Sequence, residues 1–300
     1  MISVIIPTRN AEGHIRRLLD SLKRQSVPSE TVIIDSSSSD NTVSIAESLG
    51  AKTKIIVRGL FGHGRTRNQA VTLTSGDIIV FLTQDALPAD EHFLENLIKP
   101  LRNPEIAAAY GRQIPKADAK PTEKFSRIFN YPDYPLIKDS SAFSRLGIKT
   151  FFFSNVCSAI RRKEFEELGG FSENLIMNED MLFAGRLIKS GYKIAYVPEA
   201  SVIHSHNYSL GQQFRRYFDI GVFLRKNLES LNYADPNNVG ARFLKEELRY
   251  LIKNGYYRWC PYLAGEAISK FIGYNLGRHY DALPVAIRKR ISMHSNYWEE

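Results

Sequence analysis

Within the first 110 residues, short apolar runs alternate with segments whose apolar residues recur at helical spacing. That alternation restricts the chain to an α/β architecture. The runs lie at residues 3–6, 31–34, 54–57 and 77–82. Between them, Ile15, Leu18, Leu19 and Leu22 predict one helix, and Val43, Ile45, Ala46 and Leu49, opened by Asp40 as N-cap, predict a second. Helical signals also cover 67–73 and 91–101. The fourth run, Ile-Ile-Val-Phe-Leu after Asp77, is apolar enough to be buried on both faces. Right-handed crossovers then imply a mostly parallel sheet.

Residues 113–150 break the rhythm with Pro115, Pro121, Pro132 and Pro135, and read as an irregular excursion. Regularity returns with a strand at 155–160, helices near 162–168 and 180–190, and strand-like runs at 193–197 and 201–204. The last hundred residues read as helical, with stripes through Phe243, Leu244, Leu248, Leu251 and Ile252 and through Leu263, Ala267, Ile268, Phe271 and Ile272. The expected division is a domain over 1–225 and a helical extension over 226–300. A 43% hydrophobic and 24% charged composition excludes disorder and rod-like folds for the chain as a whole. Cys157 and Cys260 are too few for a disulfide framework. No apolar run spans a membrane, and the amino-terminal residues lack a secretory pattern, so the expectation is a cytoplasmic protein. The net charge is +8, and residues 201–300 hold 14 Lys and Arg against 9 Asp and Glu. Nucleic acid, nucleotide phosphates and anionic lipid all suit that bias by charge alone. The terminal helices read either as ordinary helices packed on the domain or as a basic amphipathic, peripheral membrane surface; nucleic acid is not an expected partner.

Ligands of open parallel sheets bind beyond the carboxyl ends of the strands, so acidic residues there carry weight. The second strand ends in Asp35, before four serines, and the fourth leads into Thr83-Gln84-Asp85. A carboxylate at such a rim can accept from a base or ribose, or hold a divalent cation. The other reading is a helix cap or polar turn.

Taken in order, Pro7-Thr-Arg-Asn10, Asp35-Ser-Ser-Ser-Ser-Asp40-Asn-Thr42, Gly64-Arg-Thr-Arg-Asn68, Phe81-Leu-Thr-Gln-Asp85 and Asn178-Glu-Asp180 resemble glycosyltransferase family 2 over about residues 1–225. The resemblance implies the GT-A fold (a Rossmann-like, mostly parallel central sheet flanked by helices), a nucleotide-sugar donor and inversion. Asp35-Ser-Ser-Ser-Ser, Phe61-Gly-His-Gly-Arg-Thr-Arg-Asn68, Thr83-Gln-Asp-Ala86 and His204-Ser-His-Asn-Tyr-Ser209 are most similar to bacterial rhamnosyltransferases of surface polysaccharide synthesis. A dTDP-rhamnose donor and a saccharide or lipid-linked saccharide acceptor follow from that similarity.

By the same resemblance, Thr8 and Asp35 sit on the nucleoside, with Asp35 on the pyrimidine ring, and Glu12 on the ribose. Arg65, Arg67, Asn68 and Gln84 line the donor side. Asp85 matches the last carboxylate of the family's metal motif, whose earlier positions here are Thr83 and Gln84. Mg²⁺ or Mn²⁺ is the implied ion, with His204, or alternatively His206, as a second ligand. Asp180 is the implied general base, with Glu179, Gly169 and Gly170 on the acceptor side.

Three alternatives stand beside this reading: a UDP-hexose donor on the same fold, a nucleotidyltransferase, and a non-catalytic membrane-associated scaffold. The nucleotidyltransferase needs a glycine-rich loop after the first strand, where this chain has only Gly13. The central spatial expectation is that Asp35, Asp85 and Asp180 meet around one pocket.

Overall fold

The computed structural model describes residues 1–227 and 237–299. Residues 228–236 and Glu300, which belong to the expected 226–300 extension, lie outside them. Among the described residues, nine strands form one sheet: β1 (Ile2–Thr8), β2 (Ser29–Asp35), β3 (Lys52–Ile55), β4 (Ile78–Leu82), β5 (Leu87–Pro88), β6 (Ile106–Ile114), β7 (Leu136–Lys138), β8 (Cys157–Arg161) and β9 (Lys193–Ile203). The helices are α1 (Glu12–Lys23), α2 (Thr42–Ser48), α3 (His63–Val71), α4 (Phe93–Ile98), α5 (Pro121–Asn130), α6 (Phe143–Leu146), α7 (Arg162–Glu167), α8 (Glu179–Lys189), α9 (Leu210–Asn227), α10 (Asn237–Lys253), α11 (Cys260–Arg278) and α12 (Val285–Ile291).

The strand order is β3-β2-β1-β4-β8-β6-β9-β5, with β7 also on β9. Strands β3, β2, β1 and β4 are mutually parallel, β8 is antiparallel to both β4 and β6, and β6 runs parallel to β9. The carboxyl ends of β1, β2, β4, β6 and β9 therefore share one rim with the start of β8. The apolar runs explain the centre: Val4, Ile6, Val80 and Leu82 are wholly buried, and α1 covers one face with Ile15, Leu18, Leu19 and Leu22. A helix that shows apolar residues three and four apart buries that stripe on a sheet.

Two local expectations are revised. Asp40 does stabilise the start of α2, but from one residue further out. Its carboxylate accepts the Thr42 N–H at 3.1 Å, while Asn41 occupies the cap position. The stretch 113–150 is more regular than its prolines suggested, since it holds α5, β7 and α6. Pro121 opens α5, where a missing N–H breaks no helical hydrogen bond.

The chain divides into two compact units. The first (Met1–Ile114, Tyr131–Asn174, Glu179–His204) contains the sheet. The second (Pro115–Asn130, Leu175–Asn178, Ser205–Glu300) is helical, and α9 and α11 form its spine. Gly273 and Gly277 let these two helices touch backbone to backbone: a Cβ at either would collide with the carbonyl oxygens of Phe214 and Phe218. Within this unit Glu247 and Glu266 are buried, and Glu266 is paired with Lys270.

Candidate active site

Three strands deliver one end of the rim. The β1–β2 register sets Thr8 opposite Asp35 at the ends of both strands. Thr8 Oγ1 donates to Asp35 Oδ2 at 2.8 Å, and Ser38 donates to the same carboxylate through N–H (2.7 Å) and Oγ (2.6 Å). A buried carboxylate needs donors, and the loop supplies them. Asp35 is wholly buried, and its carboxylate holds the serine loop in shape. Thr8 is likewise buried. Glu12 is exposed and accepts from Asn41 Nδ2 at 2.8 Å, tying α1 to the same loop. Gln84 accepts the Arg9 N–H at 2.8 Å and donates to the Arg9 carbonyl at 3.2 Å, locking the loop after β1 to the loop after β4.

Beside Gln84, Asp85 Oδ2 faces His204 Nε2 at 3.4 Å. His204 lies immediately after β9 and is buried. Its Nδ1 is 2.9 Å from Gln113 Oε1. The Gln113 amide is itself oriented, because its Nε2 donates to Tyr131 Oη (2.5 Å) and Ser154 Oγ (3.0 Å). With the amide in this orientation its carbonyl oxygen faces the ring, and the tautomer protonated on Nδ1 satisfies it. The Nε2 lone pair is left aimed at a carboxylate. Two acceptors facing one another at this distance fit a cation between or beside them, and an imidazole held by an outer hydrogen bond is the usual form of a metal ligand. His206, the alternative ligand, belongs to the second unit, where its ring stacks on Tyr208.

The other end of the rim is built around the start of β8. The Asn155 N–H donates to Asp180 Oδ2 at 3.0 Å, and the Met181 N–H donates to Oδ1 at 2.8 Å. Asn155 Nδ2 and Arg67 Nη1 both donate to Glu179 Oε1 at 3.0 Å. The neighbouring carboxylates have opposite settings. Burial alone would raise Glu179, but the Arg67 guanidinium, His63 and Asn155 bring it below the usual range. Burial and the adjacent Glu179 charge push Asp180 up to about 7. Glu179 is fully enclosed, whereas Asp180 keeps some solvent access. A partly accessible carboxylate titrating near neutrality suits general-base work; an enclosed, ion-paired one does not.

Two residues expected on the donor side have partners within the protein. Arg67 is buried in the Glu179 ion pair rather than open to a diphosphate. Asn68 clasps the Gly169–Gly170 turn, donating to the Phe171 carbonyl at 2.8 Å and accepting its N–H at 2.9 Å. Both glycines have positive φ (74° and 65°), and a Cβ at Gly170 would meet Asn68 Oδ1 at 2.8 Å. Arg65 remains the more accessible of the two arginines, with Glu173 3.6 Å away. Gln113, Tyr131, Ser154 and Asn155 were missed in the sequence. Their only signal is a polar residue inside or beside an apolar strand run.

The mixed, mostly parallel sheet flanked by helices, with its polar side chains gathered at one rim, is the GT-A fold. The Glycosyl transferase family 2 model matches residues 3–169, and the chain belongs to that family. It is 42% identical to the O-antigen chain rhamnosyltransferase RfbN of Salmonella typhimurium, an alignment that covers 99% of this chain and 96% of the relative. It is also 42% identical to the O-antigen chain rhamnosyltransferase WbaN of Salmonella anatum, over 99% and 95% of the two chains. Among solved structures, the fold resembles the mannosyltransferase PcManGT from Pyrobaculum calidifontis in complex with GDP-Man and Mn²⁺, with a TM-score of 0.64 at 19% identity over 94% of this chain and 88% of the other. It also resembles Staphylococcus aureus TarS 1–349 in complex with UDP-GlcNAc, with a TM-score of 0.59 at 20% identity over 97% and 84%. The protein is a glycosyltransferase, which sets aside the nucleotidyltransferase and scaffold alternatives.

Proposed function

We propose that this enzyme transfers L-rhamnose from dTDP-β-L-rhamnose to a hydroxyl of a polysaccharide or lipid-linked saccharide, with inversion, in the cytoplasm or at the inner face of its membrane. The observation that carries the reading is the near-full-length identity to two O-antigen rhamnosyltransferases. The raised, partly accessible Asp180 supports the chemistry.

In this reading the loop shaped by Asp35 and Thr8 receives the nucleoside, Glu12 lies toward the ribose, and Arg65 offers a cation to the diphosphate. Asp85 and His204 would hold Mg²⁺ or Mn²⁺. That ion, when bound, offsets the charge that builds on the departing diphosphate. The acceptor hydroxyl attacks C1 from the side opposite the diphosphate. Asp180 takes its proton as the new C–O bond forms and the bond to the diphosphate oxygen breaks. Such assistance contributes about 10²–10⁴ in rate. The Asn155 N–H keeps the Asp180 carboxylate in place, burial and the charge of Glu179 raise its basicity, Arg67 and Asn155 hold Glu179, and the Gly169–Gly170 turn lies on the acceptor side. Residues 1–225 carry the transfer, and 226–300 form the helical extension.

The test is a thermal-shift and turnover panel of dTDP-rhamnose, UDP-glucose, UDP-GlcNAc and GDP-mannose with Mn²⁺, since a ligand bound only by the folded state raises the melting temperature. The largest shift, and α-linked product from the β-linked donor by NMR, are expected with dTDP-rhamnose. Use of a UDP- or GDP-hexose with dTDP-rhamnose ignored would overturn the donor.

A further inference from the structure

The second unit exposes what a folded surface usually hides. On α11, the residues turned toward α9 are Glu266, Lys270, Gly273 and Gly277. The opposite face presents Ala264, Ile268, Phe271, Ile272 and Leu276, interrupted only by Asn275 and without a charge. Ile268 is 60% exposed and Phe271 69%. The neighbouring α10 adds exposed Leu244, Leu248 and Ile252, one turn apart, with Arg242, Lys245, Arg249 and Lys253 also exposed on the same helix. No helix among the described residues is long and apolar enough to cross a bilayer. Contiguous exposed apolar area of this kind marks an interaction surface.

Charge selects the partner. The described residues of the second unit contain 18 Lys and Arg against 8 Asp and Glu, whereas those of the first contain 22 against 21. Three of the eight acids (Asp219, Glu247 and Glu266) are buried, so the surface is more basic still. A second copy docked through this face would bring two strongly positive units together, and that repulsion disfavours self-association. An anionic lipid surface satisfies both features: its acyl boundary accepts the apolar face, and its headgroups attract the basic fringe.

We propose that the uncharged face of α11, flanked by the basic α10, docks the enzyme on an anionic membrane surface. The helix lies in the interface and does not span it. The inference does not depend on which sugar is transferred.

The test uses the full-length protein and vesicles of phosphatidylcholine with or without 30% phosphatidylglycerol, an arbitrary working fraction of about that size. Flotation with the anionic vesicles, lost in high salt and weak on pure phosphatidylcholine, is expected. The double variant Ile268→Ser/Phe271→Ser should bind at least about tenfold more weakly, with donor turnover unchanged because neither residue belongs to the catalytic machinery. Phe271→Trp keeps the face apolar and should show a blue-shifted emission on anionic vesicles only. Wild-type protein that stays with the aqueous phase, or emission from the Phe271→Trp variant that is indifferent to vesicles, would overturn the proposal. So would light scattering that shows a dimer dissolved by the double variant while vesicle binding is intact.

Discussion

The two units of the molecule treat polar groups in opposite ways. The sheet unit is nearly neutral and gathers several buried polar side chains at one rim, partnered across distant segments: Asp35 with Thr8 and Ser38, His204 with Gln113, Glu179 with Arg67 and Asn155. The helical unit is strongly basic. It buries carboxylates between helices, leaves Glu247 Oε1 without a hydrogen-bond partner, and turns apolar side chains outward. Parallel strands end together, so a sheet makes a place where side chains from distant segments converge. Packed helices have no such rim, and their distinctive chemistry lies on the outer surface. On the two proposals above, the first unit would carry the reaction and the second the placement.

The sharpest way to break that contrast is at Asp180. Replacing it with Asn should keep donor binding and cost about 10²–10⁴ in turnover, because the amide cannot accept the proton. Steady-state kinetics alongside calorimetry with dTDP separates the two effects; turnover within a few-fold of wild type would remove the general base from the sheet unit. The sign of the pH dependence follows from the raised Asp180. The base works deprotonated, so turnover should climb as pH rises through about 7. A profile flat from pH 6 to 8 would assign proton transfer to another group.

A smaller effect is expected at Gln113. Gln113→Leu preserves bulk but releases the His204 ring from its fixed tautomer, and removal of such an outer partner typically weakens metal affinity about 10–100-fold. Titration of Mn²⁺ in the presence of dTDP reads the affinity, and nitrogen NMR of His204 reads the tautomer. If both are unchanged, the hydrogen bond does not serve the carboxylate–imidazole pair.

The smallest effect belongs to the helical unit. Burial, opposed by Lys270 and reinforced by Glu266 and Glu123, pushes Glu247 up to about 8. A carboxyl whose folded pKa is raised binds its proton more tightly folded than unfolded. Its contribution to stability is present below pH 4.5 and is lost as pH rises through about 8. Glu247→Gln removes this dependence. Its melting temperature should gain on the wild type between pH 5 and 9, while donor turnover holds. A constant difference across that range would show that Glu247 is not a buried titrating group.

Much of this plan is legible along the chain, because strand and helix periodicity are local. The runs that became β1, β2 and β4 and the stripe of α1 follow from residues within a few positions of one another, as do the acidic strand ends at Asp35 and Asp85. Pro121 shows the limit of that reading: a proline breaks a helix or begins one, according to where the chain around it goes.

Roles that depend on a partner were decided only in three dimensions. Arg67 and Glu179 are 112 residues apart, and nothing local says that the guanidinium braces a carboxylate instead of meeting a phosphate. Gln113 and His204 are 91 apart, and their hydrogen bond chooses the imidazole tautomer. The sequence by itself determined the α/β frame, the residue types available for sugar transfer and the basic bias of the carboxyl-terminal region. Tertiary structure alone decided which carboxylate is enclosed and which keeps solvent access, which arginine is open, and which helix face is left bare. Periodicity is a property of neighbours in sequence, whereas desolvation and charge pairing belong to neighbours in space.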